Sequence, residues 1–177
     1  GQSAGAVTIT AKSGSLSDNA SLIVESSALT SIQVNPVSVS TPATTQVQYQ
    51  AIGMFADGGK QDLTGAVTWT SSASSIATIS NASGSLGLAT ALGAGTATIS
   101  AVFGGQVGTA NLTVTNATLM SIAITPAAPS IGVGSTQQFT AKGRFSDGSV
   151  VGITAQCAWS SSTPAVATIN STGLANG

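Results

Sequence analysis

The chain has 177 residues, of which 42 % are hydrophobic and only 5 % charged, with no histidine and a formal net charge of −1. No basic patch can neutralise phosphates, which excludes nucleic acid as a partner, and no apolar run is long enough for a membrane-spanning helix, so no membrane insertion is expected. Disorder is excluded as well, because it goes with few apolar residues and high net charge.

Taken in chain order, residues 1–28 open without a charged-then-apolar leader, so no signal peptide is expected within the chain. Ile9-Thr10-Ala11 and Leu22-Ile23-Val24 mark two strands. Both return ninety residues on, as Ile99-Ser100-Ala101 and Leu112-Thr113-Val114. A longer stretch then begins near residue 29. Thr30-Ser31-Ile32-Gln33-Val34-Asn35-Pro36 returns as Met120-Ser121-Ile122-Ala123-Ile124-Thr125-Pro126. Pro36 and Pro42, like Pro126 and Pro129, have no amide to donate to a ladder. The first strand should therefore break and pass from one sheet to the other.

Further on, Val47, Tyr49, Ala51, Gly53 and Phe55 alternate with more polar positions, the period of a strand with one buried face. Val67 and Trp69 follow, then Ile76 to Ile79, Leu86 and Leu88, Ala97 to Ala101, and Leu112 with Val114. Turn chemistry separates them at Asp57-Gly58-Gly59, Asn81-Ala82-Ser83-Gly84, Gly93-Ala94-Gly95 and Gly104-Gly105. About seven short strands in roughly ninety residues is a β-sandwich pattern. Ile32, Val34, Tyr49, Val67, Trp69, Ile79, Leu88, Ile99, Leu112 and Val114 are expected to face inward.

Phe55-Ala56-Asp57-Gly58 and Trp69-Thr70-Ser71-Ser72 also return, as Phe145-Ser146-Asp147-Gly148 and Trp159-Ser160-Ser161-Ser162. So long a period is a whole small domain repeated rather than a solenoid coil. The fold class expected is all-β: immunoglobulin-like β-sandwiches in tandem, one complete and a partial one at each end. Residues 1–28 read as the last two strands of a preceding unit, 29–118 as a complete sandwich, and 119–177 as the first strands of a following unit. The joining segment 115–119 is short and lacks a Gly-Ser run, which predicts an extended, fairly stiff array.

These residues resemble the bacterial immunoglobulin-like domains of group two. The resemblance rests on SIQVNP (31–36) with SIAITP (121–126), and on QYQAIGMFADG (48–58) with QFTAKGRFSDG (138–148). DLTGAVTWTSS (62–72), GLATALGAGTATISA (87–101), ANLTVT (110–115) and VATIN (166–170) add to it. The resemblance implies an immunoglobulin-like sandwich and a setting in bacterial surface proteins, adhesins, large extracellular repeat proteins or phage virions. It implies no ligand, since function belongs to sites rather than folds.

Candidate chemistry is sparse. Without histidine the commonest general base is missing, and one cysteine cannot build a zinc site. Cys157 aligns with Val67 and is expected as a small buried hydrophobe. Asp57 and Asp62 flank one turn, and Asp147 repeats Asp57; an oxygen cage for calcium needs more ligands than such a turn offers, so these are read as Asx turns. Trp69 and Trp159 are read as core tryptophans rather than sugar platforms. Five Asn-x-Ser/Thr sequons, at Asn19, Asn81, Asn111, Asn116 and Asn170, are open to glycosylation.

No catalytic, cofactor-binding or metal residue is assigned, no cofactor is expected, and the protein is read as no enzyme. The function expected is a structural repeat of a bacterial extracellular or cell-surface protein, forming a stiff rod or a head-to-tail filament. Its expected partners are copies of itself or neighbouring repeats. An adhesin or carbohydrate-binding module, holding a cell-surface receptor or glycan, is one alternative, and a phage virion decoration domain another. The nearly uncharged surface suits a crowded assembly, because charge is what holds proteins apart.

Overall fold

The computed structural model describes residues 4–24 and 27–177. Among the described residues, all regular structure is β apart from one short 3₁₀ turn, Thr154–Gln156. The abundance of Val, Ile and Thr and the period-two alternation account for this.

Strands β1 (Gly5–Ser13) and β2 (Leu16–Val24) form a hairpin turned at Gly14. They pair with each other and with no other described strand.

The middle of the chain closes into a sandwich. Its strands are β3 (Leu29–Asn35), β4 (Ser38–Pro42), β5 (Gln46–Gln48), β6 (Gln50–Phe55) and β7 (Lys60–Asp62). They continue with β8 (Thr68–Ser71), β9 (Ala77–Ile79), β10 (Leu88–Ala91), β11 (Gly95–Phe103) and β12 (Gln106–Thr115). One layer is the four-stranded sheet β4-β12-β11-β8. The other combines β3-β6-β7 with β5-β10-β9, joined through the run 46–55, which is interrupted only at Tyr49. The break expected at Pro36 is present. β3 pairs antiparallel with β6, whereas β4 crosses over and pairs parallel with β12. Two extended runs, 29–42 and 46–55, are each split, which adds two to the strand count.

Val34, Tyr49, Ala51, Trp69, Ile99 and Leu112 form the centre of the core, each at most 2 % exposed. Ile32, Val67 and Val114 are buried with them, and Ile79 packs against the cluster half-buried. Leu88 does not face inward: Ala89 and Ala91 do. The phase is set by volume. A Cβ on the neighbouring Gly87 would already lie 3.2 Å from the Trp69 ring, so the inner positions of β10 admit only small side chains.

Tyr49 is fully buried, and its hydroxyl has no hydrogen-bond partner among the described residues. Burial raises its pKa from 10.0 to about 12. The neutral phenol is thus favoured by folding, so stability is intact below pH 10 and falls as pH rises from 10 towards 12. Ninety residues on, the same position is Phe139. Tyr49→Phe is expected to melt at the same temperature or higher at neutral pH, because an unsatisfied buried hydroxyl costs about 1–3 kcal/mol. It should also lose the alkaline fall. Thermal melts of both proteins across pH 8 to 12 check this, and a variant that is clearly less stable at neutral pH would contradict it.

The last stretch holds β13 (Leu119–Thr125), β14 (Thr136–Gln138), β15 (Thr140–Phe145), β16 (Val150–Gly152), β17 (Thr168–Ile169) and β18 (Leu174–Asn176). They form two three-stranded sheets, β13-β15-β16 and β14-β18-β17. These copy one layer of the middle sandwich. Ile124 faces Ala141 as Val34 faces Ala51, and the register shift at Leu119 repeats that at Leu29. The loop before β18 is shorter than that before β10, yet it delivers Gly173 into the place of Gly87. Each glycine has positive φ, and a Cβ there would lie 2.5 Å from a carbonyl oxygen, that of Phe139 or of Tyr49.

The opposite layer has no counterpart among the described strands. Residues 128–132 and 158–161, which correspond to β4 and β8, form no strand. The core of this stretch is accordingly small: Ala141, Phe145 and Ile153.

Candidate functional site

The aspartates singled out for chemistry are each engaged in a turn. The Asp57 carboxylate accepts the Gly59 amide at 2.8 Å, Asp62 accepts that of Thr64 at 2.8 Å, and Asp147 accepts that of Ser149 at 2.9 Å. These are the Asx turns expected. Hydrogen bonds from Thr64 hold the Asp62 carboxyl below its ordinary pKa, and those from Ser149 do the same for Asp147. Among the described residues, no three of His, Cys, Asp and Glu stand together in a group able to hold a metal ion. Melting curves in calcium and in chelator are therefore expected to superimpose; a rise of many degrees with calcium would contradict this.

Trp69 is buried and its indole N–H donates to the Thr64 carbonyl at 3.0 Å. Its backbone is braced by the Asn81 side chain. Asn81 Oδ1 accepts the Trp69 amide at 2.8 Å, and Nδ2 donates to the Trp69 carbonyl at 2.9 Å. This brace occupies a sequon asparagine, and nothing in the sequence singled it out. Asn19 and Asn170 also accept hydrogen bonds through Oδ1, from the Thr10 hydroxyl and from the Thr172 and Leu174 amides. Asn111 and Asn116 are exposed.

Trp159 makes the same indole bond, to Thr154 at 3.0 Å, but remains half-buried, and so does Cys157. Both were expected to be buried. They face the side on which, among the described residues, no second layer of strands forms. The result is an open apolar cleft of about 460 Å³, lined by Ile122, Ile124, Phe145, Ile153 and Trp159 among others. Ile122 and Ile124 are 52 % and 50 % exposed, whereas the matching Ile32 and Val34 of the middle sandwich are 7 % and 1 %.

The hairpin β1–β2 is the reverse case. Val7, Ile9 and Leu22 are large apolar residues left in water. The two unpaired surfaces, cleft and hairpin, are what stands out in the described structure.

A joint connects the units. The amide of Thr118 donates to the Ser146 hydroxyl at 3.0 Å, the Ser146 amide returns a bond to Thr118 O at 2.9 Å, and Thr115 donates to the Asp147 carboxylate at 3.2 Å. The turn 145–148 thus clasps the linker 116–118. The earlier junction shares one of these bonds, the Ala56 amide donating to Ala28 O at 2.9 Å, and has another of its own, the Asp57 amide donating to the Ser27 hydroxyl at 3.0 Å.

Sandwich geometry, ninety-residue repetition and clasped joints define a tandem immunoglobulin-like repeat protein. Residues 28–114 and 119–177 both match the bacterial Ig-like domain (group 2) family, and the chain belongs to that family. It is 42 % identical over 178 aligned residues to Ice-binding protein 1 of Shewanella frigidimarina (strain NCIMB 400); the alignment takes in 98 % of this chain and 20 % of that protein. Among solved structures it resembles surface layer protein SbsC, domains 1–6, with a TM-score of 0.53 at 20 % identity, covering 84 % of this chain and 20 % of that one. The rSbsC(31–844) S-layer structure gives a TM-score of 0.53 at 19 % identity, covering 85 % and 21 %. The chain spans about a fifth of the length of these relatives.

Proposed function

We propose that the chain is a non-enzymatic structural repeat of a bacterial extracellular or cell-surface protein. It acts as a stiff rod, or as a head-to-tail filament, in which half-units are completed along a longer chain or between subunits. Residues 1–28 are then the last two strands of one unit, 29–118 a complete unit, and 119–177 the first strands of the next. The observation that carries this reading is the clasped joint at 115–118, whose bond from the Ser146 amide to Thr118 O is repeated ninety residues earlier from the Ala56 amide to Ala28 O. A linker of a few residues held by hydrogen bonds restricts neighbouring units to small pivots.

The long relatives support it, since a surface layer protein and an ice-binding protein each hold a stretch similar to this one. Its partners are neighbouring repeats, and its place is outside the cell. No cofactor enters the role. The virtually uncharged exterior permits close lateral packing of such rods.

Antibody raised against the folded unit 29–118 should label intact cells of the source bacterium, or its culture medium, without permeabilisation. Labelling only after the cells are opened would overturn the extracellular reading.

A further inference from the structure

We propose that Asn81 is an edge guard: its side-chain amide stands where a neighbouring strand would lie, and keeps the free edge of β8 from pairing with β8 of a second copy. Residues 68–81 all lie within the complete middle sandwich, so the guard works whatever the setting of the chain.

The sheet leaves this edge open. β8 is the outermost strand of β4-β12-β11-β8 and, among the described strands, pairs only with β11. Along a strand, the backbone groups of successive residues point alternately to its two sides. Those of Trp69 point away from β11, because Asn81 takes both. Its Oδ1 accepts the Trp69 amide at 2.8 Å, and its Nδ2 donates to the Trp69 carbonyl at 2.9 Å. Ser71 shares that phase, so Trp69 and Ser71 are the ladder positions of the free edge.

An open edge templates pairing with another chain, and proteins blunt such edges with charge or proline. Both devices occur elsewhere in this sandwich: β7 carries Lys60 and Asp62, and β4 ends in Pro42. β8 has neither. Thr68-Trp69-Thr70-Ser71 is uncharged and rich in residues that favour strands. A primary amide offers a donor and an acceptor side by side, as a neighbouring peptide group would. Asn81 therefore closes the edge without adding charge.

The occupant kept out is a second β8. Set antiparallel with Thr70 facing its own copy, Trp69 of each chain would exchange hydrogen bonds with Ser71 of the other. The exposed Thr70 side chains would meet on the outer face. The strand is complementary to itself, so the contact is two-fold and closes at a dimer. With the guard in place, nearly uncharged units can crowd together without merging their sheets.

The test uses the whole 177-residue chain. Light scattering after size exclusion should show Asn81→Ala moving with concentration to twice the 17.0 kDa mass of the chain, under conditions where the parent does not. Adding Thr70→Lys should abolish the dimer, because like charges would face each other across the two-fold axis. An Asn81→Ala protein that elutes as the parent does would overturn the proposal. So would association that runs past a dimer or survives Thr70→Lys.

Register is tested in a Cys157→Val background carrying Asn81→Ala. Thr70→Cys should oxidise to a dimer band on a non-reducing denaturing gel, and Thr68→Cys should not. Restoring Asn81 should remove the Thr70→Cys band. Equal bands from the two cysteines, or a band indifferent to Asn81, would overturn the pairing. Hydrogen exchange separates a guard from a residue needed for folding. In dilute Asn81→Ala the Trp69 amide should exchange faster while the amides of β11 and β12 keep their protection. An unchanged Trp69 amide, or protection lost across β11 and β12 as well, would contradict a guard.

Discussion

Trp69→Ala is expected to lower the stability of the middle sandwich by about 3–5 kcal/mol, the cost of emptying a large buried aromatic site. The ring is 2 % exposed and lies in a cluster with Tyr49, Ile99 and Leu112. Its indole N–H and both backbone groups are bonded, to Thr64 and Asn81, so truncation removes packing and strands the Thr64 carbonyl. Urea unfolding followed by far-ultraviolet circular dichroism measures the loss. Trp159→Ala, at a half-open site, should cost clearly less in the same assay. Equal costs, or a Trp69→Ala protein as stable as the parent, would show that the inward face is misassigned.

Gly87→Ala is the second large effect, expected at roughly 2–5 kcal/mol because two penalties combine. The residue has φ of +73°, which an L side chain rarely adopts, and its Cβ would lie 2.5 Å from the Tyr49 carbonyl oxygen. That oxygen cannot retreat freely, since the Tyr49 amide donates to Gly87 O at 2.8 Å and anchors the same pair of chains. Gly58→Ala is the control: its φ is +82° but nothing lies within 4 Å of its Cβ, so it carries the conformational cost of about 1 kcal/mol alone. Similar midpoints for the two variants would contradict the clash.

Much of this architecture was legible in the residues. Alternation placed Tyr49, Ala51 and Gly53 on one face, and Pro36 marked the crossing between sheets because it has no amide to give. β10 shows where that reading fails. In Leu88-Ala89-Thr90-Ala91 polarity favours neither phase clearly, and the choice is made by the volume of Trp69 and Tyr49, which lie far away in sequence. Cys157 and Trp159 were read by analogy with Val67 and Trp69, but burial depends on what lies opposite, and that is a property of the assembled layer. The brace from Asn81 and the unpartnered hydroxyl of Tyr49 had no local signal at all, since each is defined by a distant partner or by its absence. The joint was half visible: the short linker could be read, whereas the clasp by Ser146 and Asp147 depends on how one unit meets the next.

A stiff array of repeated sandwiches outside a bacterial cell is the setting proposed for these residues. Electron microscopy of native material, marked with antibody against the unit 29–118, tests it most directly. Unbranched rods with marks at even, unit-sized spacing are expected. Isolated compact particles, or marks scattered along a freely flexing strand, would contradict it.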